Sequence, residues 1–173
     1  MKKNIIFLIG LPGSGKTTLI KHYHTHPYLK FKDYDDWSTG WKSQLKFNEC
    51  DLYSSLIEDI KKSKNIIISC IDFCNKEYLL EAEKCLKLEL DDIKIKRIYW
   101  ENNLEASIKN IYKRDKERGG HYKWCDKRKE DWYYGLHYDG NPQYQWEIQW
   151  AEKLSKMYTI PPNYSAFPIK VSK

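Results

Sequence analysis

Residues 10–18 have the types and the spacing of a phosphate-binding loop. They read Gly10-Leu11-Pro12-Gly13-Ser14-Gly15-Lys16-Thr17-Thr18 and fit the Walker A pattern G-x-x-x-x-G-K-[ST] at every fixed position. Glycines let a backbone turn its N–H groups towards a polyphosphate, and the start of a following helix adds a positive dipole end. Lys16 would reach the β- and γ-phosphates, and the Thr17 hydroxyl would hold Mg²⁺. The loop therefore predicts a polyphosphate site with bound Mg²⁺.

Five further residues have the chemistry that phosphoryl transfer requires. Asp35 and Asp36 follow a short predicted strand, where one carboxylate would accept a proton from an acceptor hydroxyl and the other would position a neighbour. Arg114 and Arg118 share a helical face, so their guanidinium groups would clamp the γ-phosphate. Asp72 ends another predicted strand, where an acidic residue would order the Mg²⁺ water shell. The structural alternatives are an acidic turn or helix cap, an exposed cationic face and a structural hydrogen bond, respectively.

An alternation of apolar strands and amphipathic helices would position these residues. Strands are predicted at 5–9, 28–32, 65–72, 94–100 and 166–171. Helices are predicted at 17–23, 41–62, 76–88 after an Asn75 cap, from 102 or 103 to 118, and 142–158. This order predicts an α/β fold in three layers, with a mostly parallel sheet of about five strands and helices on both faces.

The length and composition favour one domain over residues 1–173. No apolar run approaches the ~20 residues that cross a bilayer, and the first apolar stretch leads directly into the glycine loop, so we expect a cytoplasmic protein with no membrane partner. The five cysteines show no C-x-x-C spacing and are expected to be reduced thiols. The periodicity fails from His121 to Asn141, which with the end of the preceding helix predicts a lid or substrate-facing insertion at about 113–141.

Positive charge is concentrated in one segment. Residues 94–130 hold 12 Lys/Arg and 6 Asp/Glu, a surplus of +6 that equals the net charge of the whole chain. The chain also has 7 Trp and 14 Tyr, and several of them follow this segment closely. Cations interleaved with aromatic rings suit a nucleotide or a single-stranded nucleic acid, although aromatic residues also fill cores and charged residues also solvate helices.

Together these pieces resemble the kinase domain of phage-type polynucleotide 5′-kinases, within a wider group of small phosphate-loop kinases that includes zeta-toxin-like kinases. The matching pieces, in order, are residues 1–9, 10–17, 35–36, 66–69 and 113–119. The resemblance implies ATP, Mg²⁺ and transfer of the γ-phosphate to a hydroxyl. It matches Asp35 with the general base and Arg118 with a lid arginine that contacts the phosphates.

The chain departs from that family at two places. The family carries an arginine shortly after the acidic pair, and Ser38 stands there in this chain. The family aspartate after the third strand aligns with either Cys70 or Asp72. The acceptor therefore stays open between a nucleic acid, a nucleotide and a small molecule. A nucleotide-gated module that binds nucleic acid without phosphoryl transfer is the alternative from another functional class. The oligomeric state is not predicted.

Overall fold

A computed structural model describes residues 3–24, 32–34, 46–49, 53–63, 65–117 and 143–171. Its strands are β1 (Lys3–Ile9), β2 (Lys32–Tyr34), β3 (Asn65–Ser69), β4 (Ile93–Trp100) and β5 (Ala166–Phe167). Its helices are α1 (Lys16–His24), α2 (Tyr53–Lys62), α3 (Lys76–Glu89), α4 (Leu104–Glu117) and α5 (Gln143–Ser155). Asp35, Asp36 and residues 118–141 of the predicted insertion, which include Arg118, lie outside the described residues.

The sheet is parallel at every strand pair, with the order β2-β3-β1-β4-β5. Four strands have three residues or more, and β5 adds a two-residue pairing with the end of β4. The prediction of an α/β fold with a parallel sheet is therefore confirmed, whereas the fifth strand is much shorter than the predicted 166–171. The central strand β1 forms seven residue pairs with β4 and five with β3.

Alternate side chains of β1 feed two separate apolar clusters, as the two-residue period of a strand requires. Ile5, Phe7 and Ile9 belong to the first cluster, which also takes buried residues of α2, α3 and α5. Leu8 belongs to the second cluster, together with Ile20 of α1 and Ala106 of α4. Helices consequently cover both faces of the sheet.

Most local signals hold in the structure. The predicted cap of α3 is confirmed, because Asn75 Oδ1 accepts hydrogen bonds from the amides of Glu77 at 2.9 Å and Tyr78 at 3.5 Å. Asn103 caps α4 through a bond from the Ala106 amide at 3.0 Å.

Lys3, at the amino end of β1, contacts the end of α2. Its Nζ donates to the carbonyls of Ile60 at 2.7 Å, Lys61 at 2.5 Å and Ser63 at 3.3 Å. This lysine ties the start of β1 to the last turn of α2.

The predicted helix over 41–62 is wrong at its centre. Residues 47–49 form a 3₁₀ turn, and α2 begins only at Tyr53. The cause is tertiary, because the Phe47 ring is fully buried and contacts the rings of Tyr53, Phe73 and Tyr78. Burial of a large aromatic side chain outweighs a weak local preference for helix.

Two strand boundaries also differ from the prediction. β2 extends to Tyr34, two residues beyond the predicted strand end at residue 32, so Asp33 pairs with Ile67 inside the sheet. β3 ends at Ser69, and Asp72 lies in a 3₁₀ turn over residues 71–74. That turn buries Phe73, whose ring stacks on Phe7 at a centroid distance of 4.6 Å.

Tyr158 holds the carboxyl ends of two neighbouring strands together. Its buried hydroxyl lies 3.1 Å from the Ile9 carbonyl and 2.5 Å from the Trp100 carbonyl, and it donates to this pair of oxygens. Within the described ranges, no helix has the length and apolar character needed to cross a bilayer.

Because Tyr158→Phe removes this donor and nothing else, we expect it to destabilise the fold. A buried carbonyl that loses its donor costs about 1–3 kcal/mol. Urea denaturation should show that loss of unfolding free energy with little change in slope. Tyr164→Phe is the matched control, since Tyr164 is only partly buried and a Phe ring keeps its contact with Tyr99. Equal unfolding free energies of both variants would show that the Tyr158 hydroxyl does not stabilise the fold.

Candidate functional site: a phosphate loop between two strands

The glycine loop follows β1, whose neighbour in the sheet is β3. After these two strands the chain continues to opposite faces of the sheet. The chain after β1 continues into α1 on the face of the second cluster, and the chain after β3 continues into α3 on the face of the first. Adjacent parallel strands whose connections diverge open a crevice beyond their carboxyl ends, which is where ligands of open α/β sheets bind. The fold thus places residues 10–16 at this crevice.

The loop backbone is held in a tight turn. Gly13 and Gly15 have φ angles of +76° and +99°, a region that side-chain-bearing residues rarely adopt. The Ser14 amide donates to the Leu11 carbonyl at 3.1 Å, and the Leu19 amide donates to the Gly15 carbonyl at 3.1 Å as α1 begins. Leu11, Pro12 and Ser14 are buried, while Gly15, Thr17 and Thr18 are exposed at the start of α1. The amino end of α1 is accordingly open to solvent, as an anion site at a helix N-terminus requires.

Lys16 lies over the loop that precedes it. Its side chain is only 7% exposed, and Nζ donates to the Gly10 carbonyl at 2.7 Å, the Leu11 carbonyl at 2.8 Å and Ser14 Oγ at 3.2 Å. These three acceptors are neutral. An ammonium group is attracted more strongly to an anionic oxygen than to a neutral one, so Lys16 could exchange these partners for phosphate oxygens.

Cys74 connects the loop with Asp72. Burial raises the pKa of the Cys74 thiol to about 12, the positive charge of Lys16 opposes the rise, and the charge of Asp72 adds to it. The Gly10 amide also hydrogen-bonds the Cys74 sulfur, which works against the rise in its pKa. Lys16 and Asp72 therefore act on one buried thiol at the ends of β1 and β3. Sequence reasoning had no role for Cys74, because its neighbours are distant along the chain.

Asp72 is a buried carboxyl group with a raised pKa. Burial raises the pKa of Asp72 to about 6, against opposing effects from a Cys70 hydrogen bond and the charge of Lys153. The Cys70 thiol lies 3.9 Å from Asp72 Oδ2. The two residues between which the family alignment is ambiguous thus contact each other. The carboxylate form that a Mg²⁺ shell requires predominates above about pH 6.

This raised pKa predicts a specific pH dependence of stability. The folded protein keeps the Asp72 proton up to about pH 6, whereas the ordinary pKa of the group is 3.8. Folding therefore binds a proton between these values, and the Asp72 contribution to stability falls as pH rises from about 4 to 6, by up to about 3 kcal/mol. Urea denaturation across this range should give Asp72→Asn a growing advantage over wild type. Asp91→Asn, at an exposed carboxylate, should follow wild type. A constant difference between Asp72→Asn and wild type would contradict the raised pKa.

Trp100, at the end of β4, lies directly against the loop. Its Cβ is 2.9 Å from the position that a Cβ on Gly10 would take, and its Nε1 is 3.9 Å from the corresponding position on Gly15. The side chain is 5% exposed and its ring lies 5.7 Å from that of Phe167. Gly10 therefore cannot become a larger residue without moving Trp100. The position of Trp100 at the end of a predicted strand was the available sequence signal.

Arg114 is the described member of the predicted arginine pair. It forms an ion pair with Glu147 of α5. Its helix is the one that contacts the loop, since Asn110 of α4 donates from Nδ2 to the Gly13 carbonyl at 2.9 Å. Asn110 and Arg114 are four residues apart on one helical face, so about one turn of α4 separates Arg114 from the loop contact.

The basic segment is partly neutralised where the structure describes it. Arg97 pairs with Glu83 at 2.5 Å, Lys109 pairs with Glu105 at 2.5 Å, and Arg114 pairs with Glu147. Hydrogen bonding to Glu83 raises the pKa of Arg97 further above its ordinary range. Three of its cations thus serve ion pairs within the protein. Their contribution to an extended polyanion surface is correspondingly smaller than the sequence count indicates.

The chain matches no protein-family model, and a comparison with curated proteins yields no significant match. The structure brings together the loop 10–18, Lys16 and Asp72, and it places the Arg114 helix against that loop. Asp35, Asp36 and Arg118 lie outside the described residues, so their placement in the site stays a prediction.

Proposed function

We propose that this protein is an ATP- and Mg²⁺-dependent kinase that transfers the γ-phosphate to a hydroxyl of a nucleic acid or nucleotide, in the manner of polynucleotide 5′-kinases. One observation carries the proposal. A buried lysine covers a glycine loop that leads into a helix, at the diverging ends of β1 and β3. This arrangement suits a polyphosphate better than any other ligand class, because donors and positive charge converge there.

The nucleotide half of the site follows from the described residues. The loop amides and the open end of α1 bind the phosphates, and Lys16 neutralises the β- and γ-phosphate oxygens. The exposed Thr17 hydroxyl is available to Mg²⁺, and Asp72 would order the water shell of that ion in its ionised form. Held near Thr17, Mg²⁺ would supply positive charge to the phosphates of the nucleotide.

The acceptor half rests on the sequence. Tyr34, the last residue of β2, directly precedes Asp35 in the chain. In the proposed reaction the acceptor hydroxyl oxygen bonds to the γ-phosphorus while the bond from that phosphorus to the β-γ bridging oxygen breaks, so ADP leaves. Asp35 takes the hydroxyl proton, Asp36 helps to position the acceptor, and Arg118 stabilises the transferring group. Arg114 would contribute after exchanging Glu147 for phosphate oxygens.

Two other activities fit the same nucleotide site. A kinase acting on a small metabolite or nucleoside would need the same loop and base. A nucleotide-gated module that binds nucleic acid would need no base at all and would leave the γ-phosphate on ATP. The fate of the γ-phosphate therefore separates the binding module from a kinase.

Replacing Asp35 with Asn separates transfer from binding. If Asp35 is the base, Asp35→Asn keeps MgATP affinity within about twofold and lowers transfer by about 10²–10⁴. Asp33→Asn is a nearby control with the same chemistry inside the sheet. Calorimetry would measure the MgATP affinity. The transfer rate would be the rate of ADP formation with acceptor minus the rate without acceptor. If Asp35→Asn transferred phosphate at the wild-type rate, Asp35 would not be the general base.

A further inference from the structure

Helix α4 packs directly against the phosphate loop. A Cβ on Gly13 would lie 2.5 Å from the Ser107 carbonyl oxygen and 3.0 Å from Ile111 Cγ1. Backbone and side chain of α4 therefore touch the loop at its midpoint, with space only for a glycine. Gly13 and Asn110 are 97 residues apart in sequence, so this contact exists only in the folded protein.

Asn110 fixes one peptide unit of the loop from outside. Its Nδ2 donates to the Gly13 carbonyl at 2.9 Å, and the adjoining Ser14 amide donates to the Leu11 carbonyl at 3.1 Å. The oxygen and the N–H of the peptide bond between Gly13 and Ser14 are thus both held. The same Asn110 nitrogen donates to the Lys170 carbonyl at 3.0 Å, so the segment that follows β5 is tied to the loop.

The orientation of each loop peptide decides which N–H groups face an anion. At Gly13 the φ of +76° permits conformations that other residues avoid, so this peptide unit is free to rotate unless another group restrains it. The Asn110 amide restrains it from outside the loop and adds to the Ser14–Leu11 bond within the loop, since rotation of the peptide would break both bonds.

We propose that Asn110 is a positioning residue that sets the phosphate loop in its polyphosphate-binding form and couples it to α4 and to the segment after β5. The inference deepens the proposed function and rests on it for the identity of the ligand. A purely structural alternative is that Asn110 only joins separate segments of the chain, as Asn102 does elsewhere. Asn102 Nδ2 also donates to two backbone carbonyls, those of Ser155 at 2.8 Å and Tyr158 at 3.1 Å, and thus provides a matched control.

The test compares Asn110→Ala and Asn102→Ala in the full-length protein. Amide hydrogen exchange without nucleotide should become at least about tenfold faster across residues 10–17 in Asn110→Ala and stay unchanged there in Asn102→Ala. Calorimetry should show a MgATP Kd about tenfold higher in Asn110→Ala, as expected for loss of about one hydrogen bond, and a Kd within twofold of wild type in Asn102→Ala. Melting temperatures of both variants separate this effect from general destabilisation.

The outcomes distinguish this inference from the proposed function. Unchanged loop exchange or unchanged MgATP affinity in Asn110→Ala overturns the inference alone. Equal effects of the two variants on the loop and on the Kd also overturn it, because Asn110 would then act only through stability. A wild-type protein that binds MgATP but transfers no phosphate refutes the kinase proposal and leaves the positioning role supported. Absence of MgATP binding by the wild type overturns both.

Discussion

Lys16→Met should lower the rate of phosphoryl transfer by about 10²–10³. The substitution keeps most of the side-chain stem and removes the ammonium group that contacts Gly10, Leu11 and Ser14. Loss of one electrostatic contact to a reacting group typically costs about 10²–10³ in rate. MgATP affinity should also fall, because the same charge neutralises the phosphates of the bound nucleotide. Steady-state kinetics and calorimetry measure the two effects separately.

Lys3→Met is the control for this experiment. Lys3, like Lys16, donates to three oxygens, which for Lys3 are all backbone carbonyls, but it lies at the opposite end of β1. Both variants should lose stability, since each leaves carbonyls without their donor, and only Lys16→Met should lose nucleotide binding. If Lys16→Met bound MgATP like Lys3→Met, Lys16 would be a structural lysine and the polyphosphate site would be refuted.

Gly13→Ala should be the most destabilising single change in the loop. A Cβ there meets the Ser107 oxygen at 2.5 Å, and the residue has a φ of +76°. The left-handed conformation costs about 1–2 kcal/mol for a residue with a side chain. Overpacking against α4 adds about 1–3 kcal/mol. Chemical denaturation should therefore show a loss of about 2–5 kcal/mol in unfolding free energy.

Gly15→Ala separates the cost of the left-handed backbone from the cost of overpacking against α4. Gly15 has a φ of +99°, but the nearest atom to its Cβ position is Trp100 Nε1 at 3.9 Å, which is an ordinary contact. Gly15→Ala should therefore lose only the free energy due to the left-handed backbone, and it should be less destabilised than Gly13→Ala. Equal losses in the two variants would mean that α4 does not press on the loop, which would also weaken the positioning role of Asn110.

The sequence predicted those parts of the fold that depend on neighbours in the chain. The strand β1, the loop at 10–18 and the Asn75 cap are all local patterns, and each was located to within a few residues. The parallel sheet followed from the alternation of strands and helices. These features could be predicted because a strand period, a glycine turn and a helix cap each involve only a few consecutive residues.

The features that were missed depend on contacts between distant residues. Phe47 breaks the predicted helix because its ring packs on Phe73 and Tyr78. Asp72 lies in a turn rather than at a strand end because Phe73 stacks on β1. No local pattern encodes these packings, so sequence periodicity extended the helix and the strand too far.

The same limit applies to the site. Cys74, Trp100 and Asn110 all contact the loop, and none belongs to a motif that includes it. Arg114 was assigned to the phosphate, but its described partner is Glu147, which is 33 residues away. Charge counts along a sequence cannot show such a pairing, because it depends on the contact of α4 with α5.

The most direct test of the central claim is to follow the γ-phosphate of labelled ATP. The purified protein would be incubated with γ-labelled MgATP and a panel of hydroxyl acceptors that includes oligonucleotides with free 5′-hydroxyls, nucleotides, nucleosides and small metabolites. The Lys16→Met variant is the control for a contaminating kinase. We predict that the label moves to an oligonucleotide or nucleotide hydroxyl in the wild type, and about 10²–10³ more slowly in the variant. Label that stays in ATP, or leaves it only as free phosphate, would contradict the kinase account.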